Sequence, residues 1–158
     1  MPLADSATPP LPNTPDIRPA IVVDTQVVMD WLVFNDRRVQ PLAAALMSGA
    51  LRWLVAAAMR EEVRHVLGRG IAASYGPDLD YIEAQFDTHA LAVDAAPAQP
   101  PAGRLVCRDP DDQKFIDLAL AQGARWLVSR DKALLALAKR AKPRGLLIVK
   151  PEAWSLET

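Results

Sequence analysis

Two aspartates each follow a short apolar run. Asp24 closes the run at 20–23, and Asp131 comes shortly after the run at 126–128. Apolar runs of this length are typical of buried strands, and ligand sites in parallel sheets form beyond the carboxyl ends of the strands. The two aspartates are therefore expected to lie at one sheet edge. The competing interpretation of each is the N-cap of the helix that follows.

A third group of acids stands at 109–112, at the start of a predicted helix. Negative charge there complements the helix dipole, but like charges so close together repel one another unless a cation screens them. Asp112 precedes Phe115 and Ile116 at i+3 and i+4, which places it on the apolar face of the helix. Asp109 fits the helix cap, so capping explains Asp109 well and Asp112 poorly.

Glu62 is the fourth candidate. The helix predicted around it has an apolar stripe that includes Met59 and Val66, and Glu62 lies at the edge of that stripe. Glu61 lies on the opposite side and is expected to face solvent. Taken alone, a glutamate in this position is more often a surface residue than a ligand.

Brought to one sheet edge, the four acids would form a metal site. Clustered carboxylates repel one another without a cation, and ligand sets made only of oxygen favour Mg²⁺ or Mn²⁺. Such an ion can activate water and stabilise the leaving oxygen of a phosphodiester. The acids are Asp24, Glu62, Asp112 and Asp131.

The strands and helices that would position these acids alternate along the chain. Apolar runs predict strands at 20–23, 51–55, 91–94, 125–129 and 146–149. Helical spacing predicts helices at 27–32, 39–48, 57–67, 77–86, 109–122 and 131–140. The alternation predicts an α/β fold whose central, mostly parallel sheet of four to five strands is covered by helices on both faces.

Composition limits the remaining possibilities. Six of the 14 prolines fall in residues 1–19, which are expected to form a flexible extension before a domain at 20–150 and a C-terminal tail at 151–158. The single cysteine, Cys107, excludes an intrachain disulfide and favours a reduced, cytoplasmic setting. No secretory signal is expected, and no apolar run approaches the roughly 20 residues of a membrane span.

Net charge bears on possible partners. With 18 basic and 19 acidic residues the chain carries a charge of −1. Proteins that bind nucleic acid through bulk electrostatics are strongly basic. Binding to RNA would therefore need a local basic patch, a bound cation or a partner.

Four stretches carry a resemblance to a known family. They are Val-Val-Asp-Thr at 22–25, the segment 61–67, the segment 107–115 around Asp-Pro-Asp-Asp, and the segment 127–135 around Ser-Arg-Asp-Lys. Their order and spacing resemble the PIN-domain family, and within it the toxins of toxin–antitoxin pairs. The resemblance covers about residues 20–150 and implies a PIN-like α/β/α sandwich.

The resemblance also implies a function. It implies a Mg²⁺- or Mn²⁺-dependent endoribonuclease whose four acids hold the metal, and which forms homodimers and is inhibited by a cognate antitoxin. Residues expected to orient ligands or water are Thr25, Gln26, Ser129 and Asp109. Residues that flank the acids and are candidates for contact with RNA phosphate are Arg108, Arg130 and Lys132.

One departure from the family leaves alternatives open. Gln26 stands where the family usually has Asn or Ser after Asp-Thr. A PIN-like module that binds RNA or protein with weak or absent catalysis therefore stays possible. An aspartate-dependent phosphatase with Asp24 as nucleophile is a further alternative, although Gln26 occupies the place of its usual second acid and the sequence has no Gly-rich phosphate loop.

Overall fold

A single five-stranded sheet forms the centre of the protein. The computed structural model describes residues 15–158. Its strands are β1 (Ala20–Val23), β2 (Arg52–Ala56), β3 (Ala90–Val93), β4 (Trp126–Val128) and β5 (Leu147–Val149). They lie in the order β3-β2-β1-β4-β5, and every neighbouring pair is parallel. The predicted parallel α/β fold is confirmed, so all strand carboxyl ends lie along one edge.

Helices connect the strands. They are α1 (Thr25–Leu32), α2 (Gln40–Ser48), α3 (Ala57–Gly68), α4 (Leu79–His89), α5 (Gln113–Ala121), α6 (Lys132–Leu135) and α7 (Ala138–Ala141). The strand order moves outward from β1 to β3 and then back across the sheet to β5. Because parallel crossovers are right-handed, α1 to α4 cover one face and α5 to α7 cover the other.

Helix α4, the start of α5 and the α6–α7 pair differ from the helices predicted there. Helix α4 begins at Leu79 and is capped by Asp78, whose carboxylate accepts from the Tyr81 amide at 3.1 Å, so the helix predicted at 77–86 starts later. The helix predicted at 109–122 opens with a 3₁₀ turn, Pro110–Asp112. The helix predicted at 131–140 is two short helices, because periodicity continues across the break between α6 and α7 and does not report it.

The four tryptophans are buried among apolar residues. Trp31 packs on Trp53 with ring centroids 5.5 Å apart, and Trp126 meets Trp154 edge to face at 5.4 Å. Trp154 belongs to the predicted C-terminal tail. The Trp126 indole also donates a hydrogen bond to Thr158 Oγ1 at 3.1 Å, so residues 151–158 pack against the domain.

The predicted N-terminal extension is described only in part, since residues 1–14 lie outside the described residues. Its last residues contact the sheet: the Arg52 amide donates to the Pro19 carbonyl at 2.9 Å, and the Arg18 guanidinium donates to the Gly49 carbonyl at 3.2 Å. Within residues 15–158, no helix combines the length and the apolar character that crossing a membrane requires.

Candidate metal centre

A cavity of about 190 Å³ opens at the carboxyl edge of the sheet beside β1 and β4. Asp24 follows β1, Asp131 begins α6 after β4, Glu62 projects from α3, and Asp112 immediately precedes α5. All four sequence-predicted acids therefore line one cavity. The complete lining is Asp24, Thr25, Gln26, Met29, Glu62, Val66, Asp112 and Asp131.

Ser129 joins the ends of the two central strands. Its hydroxyl donates to Asp24 Oδ2 and accepts from the Asp131 amide at 2.9 Å. Asp24 Oδ1 accepts from the Val27 amide at 3.0 Å, so this carboxylate caps α1 as well as facing the cavity. Asp131 likewise caps α6 through the Ala133 amide at 2.9 Å. The capping interpretation is thus confirmed for these two aspartates, and both also line the cavity.

Three aspartates lie closest to one another. Asp109, Asp112 and Asp131 each offer one carboxylate oxygen, and these oxygens all lie within 4.8 Å of one another. Asp109 was expected only to orient ligands or water, but its place in this group makes it a possible ligand. Its Oδ1 also accepts from the Asp111 amide at 3.0 Å, which keeps the predicted capping role.

Glu62 is held at the cavity by two neighbours. Thr25 Oγ1 donates to Glu62 Oε1, and Lys114 Nζ donates to Glu62 Oε2 at 3.2 Å. Lys114 also donates to the Asp111 carbonyl and so ties α3 to the start of α5. The sequence analysis missed Lys114. Its position two residues after Asp112, on the first turn of a site-bearing helix, was the available signal.

Comparison with known proteins assigns the family of the fold. The family described as PIN domain matches residues 20–133, more than half of the chain. The chain belongs to the PIN domain family. PIN domains are nucleases as a family, and the matched residues contain Asp24, Glu62, Asp112 and Asp131. The comparison with curated proteins found no match.

Burial and mutual contacts shift the pKa values of the acids in this PIN domain. Burial is the main reason that the pKa of Asp112 is raised to about 8, and the hydrogen bond and negative charge of Asp131 add to it. The same hydrogen bond lowers the pKa of Asp131. Burial also raises the pKa of Asp24 to about 6, against the effect of the Ser129 hydrogen bond. Without a cation, the site therefore retains a proton between Asp112 and Asp131 near neutral pH.

This donor set fits a divalent cation. It consists of carboxylate oxygens, the ligand type of Mg²⁺ and Mn²⁺, and one of the carboxyls keeps a proton that a cation would replace. Within residues 15–158, no other group of three His, Cys, Asp or Glu side chains has this spacing.

Arg130 is surrounded by carboxylates and is not placed for the RNA-phosphate contact predicted for it. Its Nε donates to Asp30 Oδ2 at 2.7 Å and its Nη1 to Glu152 Oε1 at 2.8 Å, while Nη2 lies 3.8 Å from Asp36 Oδ2. Gln26 Nε2 donates to the other Asp30 oxygen at 3.0 Å. With three carboxylates already around its guanidinium, Arg130 is better described as an anchor of the Ser129–Asp131 turn than as a phosphate contact.

The two remaining predicted phosphate contacts are placed differently. Arg108 and Lys132 are exposed, and neither forms an ion pair with another residue of the described range 15–158. The positive charge of Arg108 contributes to the lowered pKa of Asp131, so its guanidinium interacts electrostatically with the site. Both side chains can turn toward an anion without breaking an existing pair.

The raised pKa of Asp112 predicts how the metal-free PIN domain responds to pH. The folded state binds a proton on this carboxyl that the unfolded chain releases above about pH 4, so stability falls as pH rises from about 4 to about 8. We expect a lower melting temperature at pH 8.5 than at pH 6.5 in EDTA, and a smaller difference for Asp112→Asn. Differential scanning fluorimetry measures both, and equal pH dependence in the two proteins would contradict the assignment.

Proposed function

We propose that this PIN domain is a Mg²⁺- or Mn²⁺-dependent endoribonuclease that hydrolyses RNA phosphodiester bonds. The observation that carries the proposal is the convergence of Asp24, Glu62, Asp112 and Asp131 on one open cavity. Structural ion pairs do not account for the Asp109–Asp112–Asp131 group, to which no cation is bonded among the described residues. Of the four cavity acids, only Glu62 has an ion-pair partner within the described range, Lys114. The family supplies the nuclease chemistry, and the carboxylates supply the metal ligands.

The residues of the site divide into ligands and supports. Asp112 and Asp131 would hold the ion, with Asp109 within reach, and Asp24 and Glu62 would complete the acidic lining. A bound divalent cation would activate the attacking water and stabilise the leaving oxygen. Ser129 and Thr25 would keep Asp24 and Glu62 in place through their hydroxyl hydrogen bonds. Arg108 and Lys132 would contact RNA phosphate.

Cleavage of single-stranded RNA with and without metal tests the proposal. We expect cleavage in Mn²⁺ or Mg²⁺, none in EDTA, and a loss of at least about 100-fold in Glu62→Gln, because a charged oxygen leaves the cavity. Glu61→Gln is the matched control, since the Glu61 carboxylate is next in the chain to Glu62 but is exposed and pairs with Arg64 at 3.6 Å. Equal cleavage by the two variants, or cleavage that survives EDTA, would reject the mechanism.

The biological role that we propose is the toxin of a type II toxin–antitoxin pair, acting as a homodimer that a cognate antitoxin inhibits. The resemblance of the four acidic motifs to that branch of the family supports it. Expression in a bacterial host should arrest growth in a manner that depends on Glu62, and co-expression of the neighbouring gene should relieve the arrest. Normal growth on expression of a protein that cuts RNA in vitro would contradict the toxin role.

A catalytically weak RNA- or protein-binding module is the second candidate, and Gln26 favours it. The Gln26 amide is bonded to Asp30, so it is not free to orient water at the cavity. Metal binding without turnover of any RNA would support this candidate. The phosphatase alternative has less support, because both Asp24 oxygens already accept hydrogen bonds and only 4% of the residue is exposed, which leaves a poor nucleophile.

A further inference from the structure

Positive charge is concentrated in one segment directly after the last acid of the site. Residues 132–150 contain six of the 18 basic residues and none of the 19 acidic residues. The net charge of −1 therefore hides a basic segment within an otherwise acidic chain. This segment lies almost wholly beyond the residues that match the PIN family, 20–133. Its basic residues are Lys132, Lys139, Arg140, Lys142, Arg144 and Lys150.

The structure leaves these cations at the surface. All six are exposed, and none forms an ion pair with another residue in the range 15–158. Arg130 and Lys114, by contrast, are largely covered and engaged with acids. Because no acidic side chain is bonded to these six cations within the described range, their charges remain available to an anion in solution.

The basic segment is continuous with the candidate metal centre. Lys132 follows Asp131, and Lys150 follows β5, whose Val149 carbonyl accepts from the Ser129 amide at 3.0 Å. Farther along, Arg144 Nη1 donates to the Gly103 carbonyl at 3.0 Å and so reaches the loop that carries exposed Arg104 and Arg108. We call these eight exposed cations the basic face. Most of it follows the chain from Lys132, next to Asp131 of the cavity, through α6 and α7 to Lys150.

We propose that the basic face binds the phosphate backbone of single-stranded RNA outside the scissile position. The inference rests on the proposed ribonuclease function, because a strand whose phosphate enters the cavity continues past Asp131. Lys139, Arg140 and Lys142 lie within three residues of one another, about 4.5 Å along a helix axis and inside the Debye length of about 8 Å, so their charges act together on a neighbouring polyanion. RNA is favoured over an acidic protein because the face leads into a site suited to phosphodiesters.

Salt-dependent binding tests the proposal separately from catalysis. The Arg140→Gln/Lys142→Gln variant removes two cations that have no part in the cavity. Binding of a fluorescent oligoribonucleotide would be measured in EDTA over a range of salt concentrations. The slope of log K against log salt should become shallower by about 1.4, because each lost contact with single-stranded RNA removes about 0.7. Melting temperature should not change, since both side chains are exposed.

Arg69→Gln is the control. It also removes an exposed arginine without an ion pair in the described range, but from the C-cap of α3, outside both the cavity lining and the basic face. In Mn²⁺, we expect the Arg140/Lys142 variant to raise KM for a long RNA, with kcat and the hydrolysis of a dinucleotide unchanged. The control should alter none of these values.

The outcomes separate the two proposals. If the wild type cleaves neither substrate, the ribonuclease proposal fails. The salt dependence of RNA binding in EDTA still shows whether the basic face binds RNA. If the Arg140/Lys142 variant and the control show the same slope, the basic face does not bind RNA and the inference is overturned. Weakened binding of a polyglutamate peptide with unchanged RNA binding would also overturn it, in favour of an acidic protein partner.

Discussion

Replacing Asp112 with Asn is expected to lower RNA cleavage by at least about 100-fold and to remove Mn²⁺ binding, without lowering the stability of the metal-free protein. The two effects have one cause. In the absence of metal, Asp112 keeps a proton, with a pKa of about 8, and bonds to Asp131. Asn has the shape of that protonated carboxyl, so it preserves the metal-free fold but cannot supply the charge that a cation needs.

Three measurements check this expectation: cleavage kinetics, Mn²⁺ titration by calorimetry, and thermal unfolding in EDTA. Asp111→Asn is the control, because Asp111 is the neighbouring residue on the same 3₁₀ turn, is exposed, and lies outside the group formed by Asp109, Asp112 and Asp131. Near-normal Mn²⁺ affinity in Asp112→Asn would show that Asp112 does not hold the ion. A large fall in melting temperature in EDTA would show that its role is structural.

Replacing Arg130 with Met is expected to lower the free energy of unfolding by about 3–5 kcal/mol, because it leaves Asp30 without its cation. Only 8% of the Asp30 side chain and 18% of the Arg130 side chain are exposed, so water cannot replace the lost partner. The change should also loosen the Ser129–Asp131 turn that Arg130 anchors and weaken Mn²⁺ binding by about 10–100-fold, as loss of ligand support does.

Chemical denaturation with the linear extrapolation method measures the stability change. Arg64→Met is the control, since Arg64 pairs with Glu83 near the surface with 42% of its side chain exposed, and its loss should cost about 0–1 kcal/mol. The double variant Asp30→Asn/Arg130→Met should recover part of the lost stability, because no buried charge is then left unpaired. A cost below about 1 kcal/mol for Arg130→Met would contradict the buried pair.

The order of strands and helices could be read from the chain because each element has its own periodicity. Buried strands are continuous apolar runs, so β1 and β4 and the acids after them were placed almost to the residue. The break between α6 and α7 and the late start of α4 could not be placed, since apolar spacing does not report local capping at residues such as Asp78.

The sequence could not predict the side-chain partners at several positions. Arg130 flanks Asp131 and was expected at phosphate, yet it binds Asp30, which lies 100 residues earlier. Lys114 and Glu62 are 52 residues apart, and no local pattern joins them. Asp109 has the sequence signature of a cap and keeps that role, but only the approach of Asp131 makes it a possible ligand.

The sequence by itself determined the α/β class, the parallel sheet, and which acids stand at strand ends and helix starts. It could do so because those features depend on residues close together in the chain. Only the tertiary structure decided which carboxylate retains a proton, which cations are already paired, and that the six cations of residues 132–150 are exposed without an ion pair within residues 15–158. These depend on burial and on distances between residues that are far apart in the chain, which no local pattern encodes.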